Sequence, residues 1–228
     1  MGINMNQKKI SASMMCSDLA HLKETLSIFE EEKVDYLHID VMDGVFVPNL
    51  GLGVDYIRCL REVTEIPLDL HLMIRNPEYK LSWFGIQKED IVTLHYESTE
   101  QIQRAIDLLK KYDCKCFVAI NPGTPIYSIE ELIEDIDGIN MLMVNPGFAG
   151  QKMVPSTMHK MEKMAGYLQE LGKQNIEIEV DGNITLEKAE ILSGYGANLF
   201  VAGTSCLFTG SLERYKDNLA VLKHAIQK

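Results

Sequence analysis

Eight short apolar, β-branched runs alternate with helix-periodic stretches along 228 residues, which predicts an α/β chain closed into a single (β/α)₈ barrel. Strands that read as nearly continuous apolar runs belong to a parallel sheet covered on both faces. Their even spacing and their number favour closure over the alternative, an open doubly wound sheet. No linker, low-complexity tract or composition break divides the chain, so one barrel is expected over residues 1–228.

Strands are expected at 10–14, 36–40, 68–73, 91–94, 116–120, 141–144, 176–181 and 199–202. Helices are expected between them, among others at 18–31, 100–112, 155–171, 186–193 and 212–227. Asp18 is suited to an N-cap, and Thr185 precedes charged, helix-favouring residues.

Composition narrows the function classes. Hydrophobic residues make up 46% and charged residues 24%, an ordinary globular balance. A net charge of −11 argues against a nucleic-acid surface or an anionic membrane. An anionic substrate must therefore be held by local backbone dipoles or by a metal. No run reaches the ~18 apolar residues of a membrane span, and the polar start 1–9 lacks a signal-peptide core. Five cysteines, Cys16, Cys59, Cys114, Cys116 and Cys206, lack zinc-finger spacing and fit a reducing cytoplasm.

The chemistry concentrates at strand ends. Two segments, 37–44 (LHIDVMDG) and 68–73 (LDLHLM), read as buried strands that finish in polar residues. Alternation puts His38, Asp40 and Met42 on one side, and likewise Asp69, His71 and Met73. A third strand, 176–182 (IEIEVDG), ends the same way at Asp181. Single strand-end Asp or His residues often only cap turns; three such strands in one chain point to a site. Two imidazoles and two carboxylates can hold a divalent metal, and the same carboxylates can move protons. In a barrel of eight, strands two and seven are three steps apart, so Asp40 and Asp181 face each other with a small substrate between them. Parity also turns Glu179 and Asp69 inward, where each needs a partner; an imidazole N–H of a metal ligand or an interior cation would serve.

Glycine loops share that rim: 145–151 (NPGFAGQ) after strand six, Asp181-Gly182-Asn183 after strand seven, and Ala202-Gly203-Thr204-Ser205 after strand eight. Glycine allows close backbone approach, and the loops after strands seven and eight are the usual phosphate cradle of a barrel. Neither of those two loops contains Lys or Arg, so backbone N–H groups and a helix N-terminus are expected to hold a phosphate.

These motifs, in this order, resemble the ribulose-phosphate 3-epimerase family from about Ile10 to Phe208. The most specific is 38–49 (HIDVMDGVFVPN), supported by 11–15 (SASMM), His71-Leu72-Met73, the 145–151 loop, 179–182 (EVDG) and Ala202-Gly203-Thr204. The resemblance implies a divalent metal, usually Zn²⁺ with Fe²⁺, Mn²⁺ or Co²⁺ as alternatives, held by His38, Asp40, His71 and Asp181. It implies that Asp40 and Asp181 are the acid/base pair inverting C3 of a phosphorylated ketose. Ser13 would touch the sugar, and Gly182, Asn183, Gly203 and Thr204 would bind its phosphate. His71, Gly147, Phe148, Ala149 and Gly150 would also contact the substrate, and Met42 and Met73 would line the site, unless these methionines merely pack the barrel. A cytoplasmic homo-oligomer is expected.

Met15-Cys16, Ala149 and 203–208 (GTSCLF) resemble the allulose 6-phosphate branch slightly more than the ribulose 5-phosphate branch. Two other readings compete. A decarboxylase or aldolase barrel would carry an Asp-x-Lys-x-x-Asp motif, and Asp40-Val41-Met42-Asp43 has no Lys. A non-catalytic sugar-phosphate sensor would have no need of both Asp and both His.

Overall fold

The computed structural model describes residues 7–228. Eight parallel strands close into a barrel in sequence order. They are β1 (Lys9–Ser13), β2 (Tyr36–Met42), β3 (Leu68–Met73), β4 (Ile91–His95), β5 (Lys115–Ile120), β6 (Gly138–Leu142), β7 (Glu177–Asp181) and β8 (Leu199–Ala202). Closure is made by β1 pairing with β8, with Ile10 opposite Phe200 and Ala12 opposite Ala202. The helices are α1 (Leu22–Glu31), α2 (Val54–Val63), α3 (Ile102–Leu109), α4 (Ser156–Glu170), α5 (Leu186–Gly194) and α6 (Tyr215–Ile226).

Each helix buries one stripe against the outer face of the sheet. Leu26 and Phe29 of α1, Ile57 and Leu60 of α2, and Ala105, Ile106 and Leu109 of α3 join a continuous core with Leu37, Ile39, Leu70 and Leu72. Burying each large aliphatic or aromatic side chain favours the fold by about 1.5–3 kcal/mol. Local signals set the helix starts. Asp18 accepts from the Ala20 N–H at 2.9 Å ahead of a 3₁₀ turn leading into α1. Thr185 caps α5 by accepting from the Lys188 N–H at 3.3 Å.

Not every crossover is an α-helix. The connection after β3 contains two 3₁₀ turns, Pro77–Tyr79 and Leu81–Trp83, and the one after β5 is a 3₁₀ stretch, Ile126–Asp135. The latter buries Ile126, Ile129 and Leu132. A three-residue apolar period suits three residues per turn, where side chains at i and i+3 eclipse.

Strand β6 begins three residues before its expected start and ends two before its expected end. Gly138-Ile139-Asn140 has a turn-like composition, yet Gly138 pairs with Phe117 in the barrel wall. A Cβ on Gly138 would stand 2.3 Å from the Phe117 ring, so glycine there makes room for the aromatic floor. That floor is Tyr36, Ile91, Phe117 and Leu199, all buried. Lys9 and Lys115 pair with Glu177 at 2.8 and 2.5 Å. The other end of the strands is left to the polar residues.

Candidate active site

Strand register assembles the polar cluster. His38 lies opposite Asp69, Asp40 opposite His71, and Met42 opposite Met73 on β2 and β3. Asp181 ends β7. His38 Nε2 lies 3.4 Å from Asp40 Oδ1 and 3.7 Å from Asp181 Oδ2. His71 Nδ1 lies 3.3 and 3.4 Å from the same two oxygens. Metal–ligand bonds of about 2.1 Å put tetrahedral neighbours about 3.4 Å apart, and these four separations bracket that value. His38 Nε2 and His71 Nδ1 are buried and have no hydrogen-bond partner. Four donor atoms converging in this way can hold a divalent cation.

The imidazole nitrogens that face away from the cluster are both occupied. His38 Nδ1 donates to Asp69 Oδ2 at 2.6 Å, and the Ser11 hydroxyl donates to the same oxygen at 2.8 Å. His71 Nε2 lies 2.8 Å from His95 Nε2. His38 therefore turns Nε2 to the cluster, whereas His71 turns Nδ1. Asp69 supports a ligand on the neighbouring strand, not His71 on its own. Glu179 Oε1 is 3.7 Å from His38 Nδ1, too long for a hydrogen bond, and Glu179 sits against Asp69 instead. His38, Asp69 and Glu179 are also close enough to suggest a second metal cluster. The 2.6 Å hydrogen bond makes His38 Nδ1 a donor to Asp69, which marks the His38–Asp69 pair as a support for the cluster and not as a second metal site.

Burial and charge oppose one another throughout the cluster. Burial would raise the Asp40 carboxyl, but the His38 charge and the nearness of both imidazoles hold it well below the usual carboxylate range. Burial would lower His38, but the Asp69 and Asp40 charges bring it well above the ordinary histidine value. His71 is also raised: burial is outweighed by Asp181 and Asp40. Glu179 is driven well above the usual glutamate range, first by burial and then by the Asp69 charge. His95 is lowered to about 4 by burial, which keeps it neutral at neutral pH.

Above the cluster opens a cavity at the mouth of the barrel. Its wall contains Asp40, Asp181, His71, Ser13, Met42 and Met73, together with Gly147–Gly150, Gly182, Asn183, Gly203 and Thr204. His38 is fully buried behind it. The Ser13 hydroxyl approaches Asp40 Oδ2 at 3.4 Å, so Asp40 turns one oxygen to the cluster and the other toward the cavity wall. Gly182 and Asn183 adopt φ of +109° and +54°. A Cβ on Gly182 would stand 2.5 Å from Val144, so this turn admits only glycine without a local shift.

Two features were missed from sequence. Lys188 Nζ reaches the Asn183 carbonyl at 3.2 Å and its side-chain oxygen at 2.5 Å, bringing a cation to a loop that contains none. Its position in the first turn of α5 was the available signal. After β8 the chain makes a turn in which Cys206, Leu207 and Phe208 N–H groups donate to the Gly203 carbonyl, and α6 begins only at Tyr215. The second feature is His95 with Glu97. The expected strand 91–94 stops one residue short of His95, although alternation from Thr93 points it inward.

Fold and cluster define a (β/α)₈-barrel protein with a site at the C-terminal rim competent for a divalent metal. A model of the ribulose-phosphate 3 epimerase family matches residues 9–208. The chain is 39% identical over 197 residues to ribulose-phosphate 3-epimerase of Bacillus subtilis, covering 86% of this chain and 91% of that protein. It is 36% identical over 197 residues to that of Methanocaldococcus jannaschii, covering 86% and 83%. It is 31% identical over 225 residues to that of Escherichia coli K12, covering 96% and 100%. The chain belongs to the ribulose-phosphate 3-epimerase family, and it is an enzyme of the isomerase class. Among solved structures it is similar in fold to 3-hexulose-6-phosphate synthase from Salmonella typhimurium, with TM-score 0.69, 13% identity and coverage of 96% and 98%. No helix of the described residues is long and apolar enough to cross a membrane.

Proposed function

We propose that this enzyme inverts C3 of a phosphorylated ketose, ribulose 5-phosphate and xylulose 5-phosphate being the pair that the names of its relatives favour. The observation that carries the reading is the placement of Asp40 and Asp181 on strands three steps apart, one oxygen of each within 3.7 Å of both imidazoles. A carboxylate uses one oxygen to hold a cation and keeps the other for a proton. A divalent cation held by His38, Asp40, His71 and Asp181 would supply Lewis-acid stabilisation of charge on the C2 and C3 oxygens, an effect worth several kcal/mol.

One aspartate takes the C3 proton and the other returns a proton from the opposite face, which inverts the carbon. Ser13, against Asp40 Oδ2, is placed to orient that carboxylate and to touch the sugar. Met42 and Met73 give the reacting carbons an apolar wall that excludes water. Backbone groups of Gly182, Asn183, Gly203 and Thr204 bind the phosphate, with Lys188 adding a nearby positive charge. Gly147, Phe148, Ala149 and Gly150 cover the substrate from the β6 side. We read the resident metal as zinc, the assembly as a homo-oligomer and the location as the cytoplasm.

The hexulose phosphate, allulose 6-phosphate, is the second reading. Of the residues behind it, Met15, Cys16, Ala149 and Ser205 line the cavity, whereas Leu207 and Phe208 are buried in the core. Solvent-deuterium incorporation at C3, measured with both substrates on metal-analysed protein, tests the proposal. Exchange at C3 with release of the epimer is expected; carbon–carbon cleavage instead would establish a lyase.

A further inference from the structure

Behind His71 runs a chain of hydrogen-bonding groups that the reaction itself does not use. His95 ends β4 fully buried, with the Phe46 ring 4.8 Å from its own. Its Nε2 lies 2.8 Å from His71 Nε2, and the two ring planes are within 18° of each other. Its Nδ1 lies 3.3 Å from Glu97 Oε2. The other oxygen of Glu97 accepts from the Asn121 N–H at 2.9 Å and from the Thr124 hydroxyl.

This chain has one direction. The Asn121 N–H can only donate, so Glu97 Oε1 accepts. The Glu97 carboxylate carries no proton, so Oε2 must also accept, and His95 carries its proton on Nδ1. A neutral imidazole protonated there has a lone pair on Nε2. Two nitrogens 2.8 Å apart share a single proton, so His71 must supply it from Nε2. In the neutral imidazole that takes up a cation, that leaves the lone pair of His71 on Nδ1, the atom facing Asp40 Oδ1 and Asp181 Oδ2 at 3.3 and 3.4 Å.

We infer that His95 and Glu97 are positioning residues that set His71 in its Nε2-protonated tautomer, presenting the Nδ1 lone pair to a divalent cation. The inference rests on the metal reading given above. It assigns to Glu97, which does not touch the cluster, control over which His71 nitrogen can ligate. His38 has a carboxylate directly behind it; His71 obtains the same polarity through an intervening imidazole.

Glu97→Gln tests this with almost no change of shape. The amide oxygen keeps Asn121 and Thr124, so the NH₂ group faces His95 Nδ1 and reverses every donor in the chain, leaving a proton on His71 Nδ1. Zn²⁺ affinity, measured by competition with a chromophoric chelator, is expected to fall about 10–100-fold while the melting temperature stays near that of the parent. Two-bond ¹⁵N–¹H spectra of the zinc-loaded parent should show His71 protonated at Nε2 and His95 at Nδ1. His95→Gln retains an acceptor toward His71 and should keep more affinity than His95→Met, of similar length but without one. Zinc affinity of Glu97→Gln within about twofold of the parent, or equal affinities for the two His95 variants, overturns the inference. A parent protein that binds no divalent metal overturns the metal reading itself, and this inference with it.

Discussion

His38 and Asp69 stand opposite each other on β2 and β3 and are joined by a 2.6 Å hydrogen bond from Nδ1 to Oδ2. The carboxylate fixes the imidazole's tautomer and aims Nε2 at Asp40 and Asp181. Asp69→Asn presents an amide in its place and should weaken Zn²⁺ binding by about 10–100-fold. Glu179→Gln should cost much less, because Glu179 sits against Asp69 and not within hydrogen-bond reach of His38. Chelator competition on both variants checks this; equal losses would make Glu179 an equal partner in the support.

Asp40→Asn and Asp181→Asn should each lower epimerisation by more than about a hundredfold. Metal content has to be measured in the same preparations, since both residues also belong to the cluster. Near-normal turnover in either variant, with metal bound, would remove that aspartate from proton transfer.

The imidazoles make metal binding and stability respond to pH in opposite ways. Without a cation His38 and His71 hold their protons above the ordinary histidine range. A cation must displace those protons, so Zn²⁺ affinity should rise as pH climbs from about 6.5 upward. A raised folded-state pKa stabilises the protein fully below the unfolded value of about 6.5 and is lost as pH climbs through the folded value. Chelated protein should therefore melt lower as pH rises over that window. Melting curves with and without chelator should diverge upward in pH; parallel curves would refute the coupling.

Gly203 tests phosphate recognition more cleanly than Gly182. A Cβ at Gly203 meets only the Cys16 sulfur, at 3.5 Å, an ordinary contact. Gly203→Val should leave the fold and metal content unchanged and raise KM for a phosphorylated ketose at least about tenfold, a cost of about 1.4 kcal/mol. The unphosphorylated sugar should be unaffected. Equal impairment of both would place the phosphate elsewhere.

Gly138→Ala places a methyl 2.3 Å from the Phe117 ring and should destabilise the protein by about 1–3 kcal/mol or more through overpacking. Adding Phe117→Leu should restore part of that loss. Denaturant unfolding of the single and double variants measures it; a neutral Gly138→Ala would mean that the floor repacks freely.

The eight apolar runs, their spacing and their polar ends were legible in the chain because strand alternation is local: His38, Asp40, Asp69, His71, Glu179 and Asp181 converge as parity requires. Motif order was enough to identify the family. Local patterning could not show how one strand's residues meet those of the next. Register made Asp69 the partner of His38 instead of His71, and it set Gly138 beneath Phe117 in a segment of turn-like composition. Pairing of β3 with β4 brought His95, 24 residues along the chain, to His71, and the loop after β5 holds Glu97, two residues beyond His95, through Asn121 and Thr124. Helix α5 returned Lys188 to a loop without charge. Which residues face the barrel interior follows from a period of two along each strand; which of them touch is decided by the stagger between strands, and that is set only when the barrel closes.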